Sequence, residues 1–238
     1  DLSQLYLTRI SQAQNAEQNQ VFISNSVGAA KQATDLNPQS VANWSVRGFV
    51  YRNLIGLLGG AEDWALKSYE EALKLEPSNP YLFTEIGIVH TLKADLITSP
   101  KGKDEALQLA LENFNKAISL KPDYASAHFR IALVYNRQGN TSRTITKLEE
   151  TKLVAPFDVG LAFQLGLLYY QQENLNRAQA EFERAVDLSP NYSNAIYFLG
   201  LVYDRQGKKT DAIIQFNRIA NLNPGNAEVN MILTNLSE

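Results

Sequence analysis

The sequence predicts an all-α fold made by stacking one helical hairpin on the next. Three sets of spacings carry that expectation. Prolines recur at Pro38, Pro77, Pro122, Pro156, Pro190 and Pro224; the last four stand 34 residues apart and the two earlier gaps are 39 and 45. A small residue recurs with the same gaps at Gly48, Gly87, Ala132, Gly166 and Gly200, and a large apolar residue at Tyr69, Phe114, Leu148, Phe182 and Phe216. A period of 34 belongs to a helix–turn–helix unit that buries its apolar face only against a neighbour.

Residues 1–40 form a degenerate first unit. Leu2, Leu5, Tyr6, Arg9 and Ile10 have helical spacing, Val27, Ala30 and Ala33 mark a second helix, and Pro38 follows. The Gln- and Asn-rich tract 12–20 between them reads as an exposed capping end, since terminal repeats are atypical. The unit 41–79 carries Trp44, Gly48, Tyr51, Ala65, Tyr69, Ala72 and Pro77. The unit 80–124 carries Phe83, Ile86, Gly87, Ala110, Phe114, Ala117 and Pro122.

These two units are long. The interval from the small residue of the first helix to the alanine of the second is 17 from Gly48 to Ala65 and 23 from Gly87 to Ala110, against 12 from Gly166 to Ala178. The extra length therefore belongs at the turns, in 54–60 and in a loop around Thr98, Ser99, Pro100, Lys101 and Gly102. It serves either as extra helical turns or as a partner-binding edge.

The regular units follow. In 125–158, His128, Ile131, Ala132 and Tyr135 form one stripe and Thr144, Leu148 and Thr151 the other, with threonines weakening the second helix. In 159–192 the stripes are Ala162, Leu165, Gly166, Tyr169 and Ala178, Phe182, Ala185, ended by Pro190. In 193–226 they are Ile196, Leu199, Gly200, Tyr203 and Ala212, Phe216, Ile219, ended by Pro224. Such stripes are the buried faces of amphipathic helices; small residues let two helices approach, an aromatic fills the space beside them, and proline stops the helix. Val229, Ile232, Leu233 and Leu236 in 227–238 suggest a final helix that covers the last pair.

With eight positions in phase over several units, the chain resembles the tetratricopeptide repeat (TPR) family. The resemblance implies a single solenoid domain over 1–238: a right-handed superhelix of about six hairpins plus a C-terminal capping helix. It also implies protein docking in a concave groove lined by first-helix positions 2, 5, 9, 12 and 13.

Composition narrows the function. The chain is 45% apolar and 20% charged, with a net charge of −3, which argues against a nucleic-acid partner. There is no cysteine, so disulfides and thiolate metal sites are excluded and the compartment stays open. No run of 18 apolar residues suggests direct membrane insertion. The chain starts at Asp1 and ends at Glu238; the expectation is an excised domain whose targeting or tethering segment lies elsewhere.

Little points to catalysis. His90 and His128 fall on buried stripes, where a packed ring with a satisfied nitrogen is expected. Glu70-Glu71 and Glu149-Glu150 are expected on solvated helix faces. No phosphate loop, zinc set or calcium loop is present. The expectation is a non-enzyme without cofactor or metal.

Groove positions hold the binding candidates. Chaperone-binding members of the resembled family clamp a C-terminal carboxylate with Lys and Asn at positions 5 and 9; here these positions hold Ser, Thr, Phe or Tyr and apolar residues, so that function is not supported. The candidates for a peptide-binding groove are Phe49, Arg52, Tyr81, Phe129, Arg137, Phe163, Tyr170, Tyr197 and Arg205. Phe129, Phe163 and Tyr197 form an aromatic strip at 34-residue spacing with arginines along one side, the residue types of interface hot spots; packing on the adjacent helix is the alternative. A second resemblance, to the soluble tails of bacterial polysaccharide polymerase- and ligase-like membrane proteins, rests on Tyr6 to Ala13, Asn43-Trp44-Ser45 through Tyr51, and Asn53 to Gly56. The expected function is a protein-interaction module, with a self-associating scaffold as the alternative.

Overall fold

The computed structural model describes residues 2–237; Asp1 and Glu238, the ends of the expected excised domain, lie outside them. Thirteen α-helices and no strand occur among the described residues. The chain divides after Gln138 into two compact units. The first holds α1 (Leu2–Ile10), α2 (Ala16–Leu36), α3 (Val41–Asn53), α4 (Ala61–Leu75), α5 (Pro80–Leu96), α6 (Pro100–Leu120) and α7 (Ala125–Arg137). The second holds α8 (Thr141–Val154), α9 (Val159–Gln171), α10 (Leu175–Leu188), α11 (Ser193–Arg205), α12 (Lys209–Leu222) and α13 (Ala227–Ser237). The division falls inside the unit read as 125–158.

Helix starts follow local chemistry. Asn15, Ser40, Ser99, Asn140, Asp158 and Asn174 each accept a hydrogen bond from a backbone N–H in the first turn of the helix they precede. Such caps satisfy donors that have no intrahelical partner. Asn79 caps α5 in the same way, with Pro80 at the first helical position, where its missing N–H costs nothing.

Within each unit, consecutive helices pair through the small-residue stripe. A β-carbon on Gly48 would lie 2.7 Å from the Tyr69 ring, on Gly87 2.5 Å from Phe114, on Gly166 2.6 Å from Phe182 and on Gly200 2.9 Å from Phe216. All four rings are fully buried. The sequence period thus records one packing event, an aromatic ring laid on a bare helix backbone. At the C-terminal end α13 packs on α12 through the buried Val229, as a closing helix should.

The two insertions differ. Residues 54–60 are a turn, with Gly56 and Gly60 at φ of 85° and 75°, a left-handed conformation that favours glycine. The loop expected around Thr98 to Gly102 is mostly helix: α6 starts at Pro100, and only 97–99 are non-helical. Pro100 and Gly102 occupy the first turn, where Ser99 Oγ accepts from the Gly102 N–H at 3.2 Å. The extra residues instead lengthen α5 to 17 and α6 to 21, against 13 and 14 in α9 and α10.

Candidate functional site

In the first unit the candidate surface is built on α3, α5 and α7. Phe49 is half-buried on α3, with the Arg52 guanidinium 4.9 Å from its ring centre. Arg52 Nη1 donates to Glu85 Oε2 at 2.5 Å, and the Tyr69 hydroxyl donates to the same oxygen at 2.8 Å. Glu85 is only 7% exposed, so this carboxylate is a buried junction between three helices. Burial first, and then the Glu85 charge, push the Tyr69 hydroxyl far above its usual pKa. The same two causes raise Tyr81 and Tyr124.

Of the other candidates here, Tyr81 is exposed, Phe129 is half-buried, and Arg137 forms an ion pair with Asp95 at 3.2 Å. A cavity of about 550 Å³ lies between α1, α3 and the 54–60 turn. Its wall is Leu7, Ile10, Phe49 and Leu57, with the uncharged Gln4, Thr8, Ser11 and Asn53 beside them. Sequence periodicity missed it because α1 belongs to a degenerate repeat whose seating on α3 no period dictates.

In the second unit the candidates separate into core and surface. Phe163 is buried, its ring 5.2 Å from Tyr192, 5.8 Å from Phe198 and 5.9 Å from Phe182. Tyr197 is half-buried against Phe198 and Phe216 and donates its hydroxyl to Glu228. Tyr170 meets Phe198 edge-on, and Arg205 lies 4.6 Å from the Tyr170 ring centre. Phe198, off the expected stripe, is the ring that joins Phe163, Tyr170, Phe182 and Tyr197.

Two expectations about titratable groups need correction. Glu149 is not a solvated face residue: it is half-buried and accepts from the Tyr169 hydroxyl at 2.7 Å, and Glu183 accepts from Tyr203 at the same distance one period later. Each is a tie between successive hairpins at a 20-residue offset. His128 Nε2 lies 2.8 Å from the Pro122 carbonyl, and among the described residues neither His90 Nδ1 nor His128 Nδ1, both buried, has a hydrogen-bond partner. Burial, and then the nearby Lys93, lower the His90 pKa, so its ring is neutral at pH 7.

Among the described residues no cluster of three or more His, Cys, Asp or Glu side chains could hold a metal ion, and no helix is long and apolar enough to cross a membrane. The surface offers rings, guanidiniums and a cavity.

Known proteins share these repeats. A tetratricopeptide repeat family model matches residues 163–227, and a TPR repeat model matches residues 105–139. The chain carries tetratricopeptide repeats. Photosystem I assembly protein Ycf3 of Rippkaea orientalis (strain PCC 8801 / RF-1) is 34% identical over 91 residues, 37% of this chain and 46% of that protein. The chain spans less than half the length of the curated relatives it matches. The crystal structure of PilW, a type IV pilus biogenesis factor, superposes with a TM-score of 0.64 at 15% identity, covering 98% of this chain and 99% of that one. TTC0263, a TPR protein of Thermus thermophilus, gives 0.60 at 17% identity, covering 84% and 98%. At these identities the structures establish the fold, an all-α TPR solenoid.

Proposed function

We propose that this chain is a protein-interaction module and that the first unit takes a segment of a partner protein along α3, α5 and α7. The carrying observation is the cavity of about 550 Å³ whose wall includes Phe49, itself covered by Arg52. A cavity of that size, apolar with a few uncharged polar groups beside it, suits a large apolar side chain, and the adjoining ring and guanidinium are hot-spot types. In the second unit Tyr170 and Arg205 offer a smaller surface of the same kind, whereas Phe163 supports it from the core. The relative at 34% identity is named as an assembly protein, which is in keeping with this reading. The likeness to polysaccharide polymerase tails adds a setting: a module recruiting partners to a membrane-bound machine.

A photo-crosslinking residue in place of the exposed Leu57 tests this. It should capture a partner, and the yield should collapse when Phe49 is cut to Ala. An undiminished yield in Phe49→Ala would remove the cavity from the site. An adduct of twice the chain mass would favour the self-associating scaffold instead.

A further inference from the structure

Three guanidiniums lie on the face of the first unit, and two of them are already engaged. Arg52 is bound to Glu85 and Arg137 to Asp95. Arg130, on α7, is half-buried, and among the described residues of its unit no hydrogen bond or ion pair engages it. Arg52 and Arg137 each hold a carboxylate, whereas Arg130 has none within hydrogen-bond reach; Glu85, already bound to Arg52, acts on it without a direct bond. Burial first, and then the neighbouring Arg52, pull its pKa down, with Glu85 opposing.

Arg130 borders a cleft of about 40 Å³ between α5 and α7, shared with Arg137 and closed by Ile88, Leu92 and Leu133. The space exceeds the roughly 10–15 Å³ that one water requires. No hydroxyl proton competes for a ligand there: Thr91 Oγ1 donates to the Gly87 carbonyl and Thr84 Oγ1 to the Pro80 carbonyl. The cleft therefore combines apolar walls with one guanidinium that holds no carboxylate; the second, Arg137, binds Asp95 through Nε and Nη2 and leaves Nη1 out of that pair. A partly desolvated guanidinium with no hydrogen-bonded carboxylate destabilises a fold, and a ligand that supplies one relieves it.

We propose that Arg130 is the recognition point for a single carboxylate, the side chain of an internal Asp or Glu in the partner segment. This rests on the reading that the first unit's face takes such a segment, and it names the chemistry of that segment. A guanidinium pairs with a carboxylate through two parallel hydrogen bonds, and the apolar walls suit the methylene stem. A chain-terminal acidic residue would bring two carboxylates to a site with one guanidinium that holds none.

The test uses the whole chain and three short alanine-rich probe peptides. One is acetylated and amidated with a central Glu, one is the same with Gln, and one has the central Gln and a free C-terminal carboxylate. The Glu peptide should move the Arg130 side-chain Nε–H signal in NMR, and the Gln peptide should bind about tenfold more weakly or worse, as loss of a charged hydrogen bond implies. Arg130→Met should abolish the preference for Glu while leaving the melting temperature equal or higher, because it removes a partly desolvated charge that has no hydrogen-bonded carboxylate; Arg130→Lys should keep part of the preference.

Equal binding of the Glu and Gln peptides would overturn the assignment. So would tighter binding of the free-acid peptide, or a lower melting temperature in Arg130→Met with the preference intact. If Arg130→Met still gives the Leu57 crosslink in full while Phe49→Ala loses it, the carboxylate site falls and the interaction module stands.

Discussion

Arg184 donates from Nη1 to the carbonyl oxygen of Pro156 at 2.9 Å, and Arg218 repeats the bond one period later, from Nη2 to Pro190 at 2.7 Å. In three other repeats the carbonyl of the terminating proline is met from the following first helix. Trp44 Nε1 donates to Pro38 at 2.8 Å, His128 Nε2 lies 2.8 Å from Pro122, and Asn230 Nδ2 donates to Pro224 at 3.4 Å. The corresponding positions before Arg184 and Arg218 are Ala162 and Ile196, whose side chains have no donor. One backbone acceptor is thus served from two different helices, and these two arginines stand where the first helix offers no donor; after Pro77 the position holds Phe83, and no arginine takes its place.

Removing these arginines should rank by what else they hold. Arg218→Met loses the proline bond and should cost about 0.5–1.5 kcal/mol, the net value of an ordinary hydrogen bond. Arg184→Met should cost more, since Arg184 Nε also donates at 2.8 Å to the buried Glu181, which would keep Lys152 alone. Denaturant midpoints in the opposite order would contradict this.

The glycine contacts give a second ranking. Gly87→Ala, with its β-carbon 2.5 Å from the buried Phe114 ring, should destabilise by about 1–3 kcal/mol, and Gly166→Leu by at least as much. Gly28→Ala is the control, since nothing lies within 4 Å of its β-carbon position in α2. It should raise stability by up to about 1 kcal/mol through helix propensity alone. Equal melts for Gly87→Ala and the parent chain would mean that the ring is not where the structure puts it.

The Glu85 junction is the most sensitive point of the first unit. Arg52→Met should destabilise by about 3–5 kcal/mol, because it leaves a buried carboxylate with only the Tyr69 hydroxyl. Adding Glu85→Gln to Arg52→Met should recover part of that loss, as it removes the stranded charge. Unfolding of the single and double variants in parallel checks this; a double variant weaker than Arg52→Met would refute it.

Alkaline pH should unfold the chain through its tyrosines. The Tyr197 hydroxyl is pushed up to about 12, first by its hydrogen bond to Glu228 and then by burial; Tyr203 is also raised, by burial and then by Glu183. The unfolded value is about 10, so below that pH both states are neutral and the contribution is complete. As pH rises from about 10 towards about 12 the unfolded chain ionises first and the stabilisation is lost. Denaturation midpoints should fall across that window, and less steeply in Tyr197→Phe.

The hairpin ends and the small-to-aromatic stripe were legible because each is a local or strictly periodic event. A cap acts within three residues, and Gly166 meets Phe182 wherever the period holds. Extra helical turns, one of the two readings of the insertion before α6, are what the structure has, but a loop was placed on 98–102 because Pro and Gly are breakers in mid-helix yet harmless in a first turn, and only the cap at Ser99 reveals which applies. Among the site candidates, Tyr81 and Arg205 lie exposed, while Phe163 is in the core, the alternative given for the aromatic strip.

The sequence by itself determined the all-α repeat class, the hairpin boundaries in 159–226 and the residues that bury one helix on the next, because a 34-residue period repeats one set of contacts. Tertiary structure alone decided which charges are neutralised. Arg52 and Arg137 find carboxylates on a helix from another hairpin, while Arg130, on the same face, finds none within its unit. Ion pairing depends on where side-chain tips meet across helices, and spacing along the chain does not encode that distance.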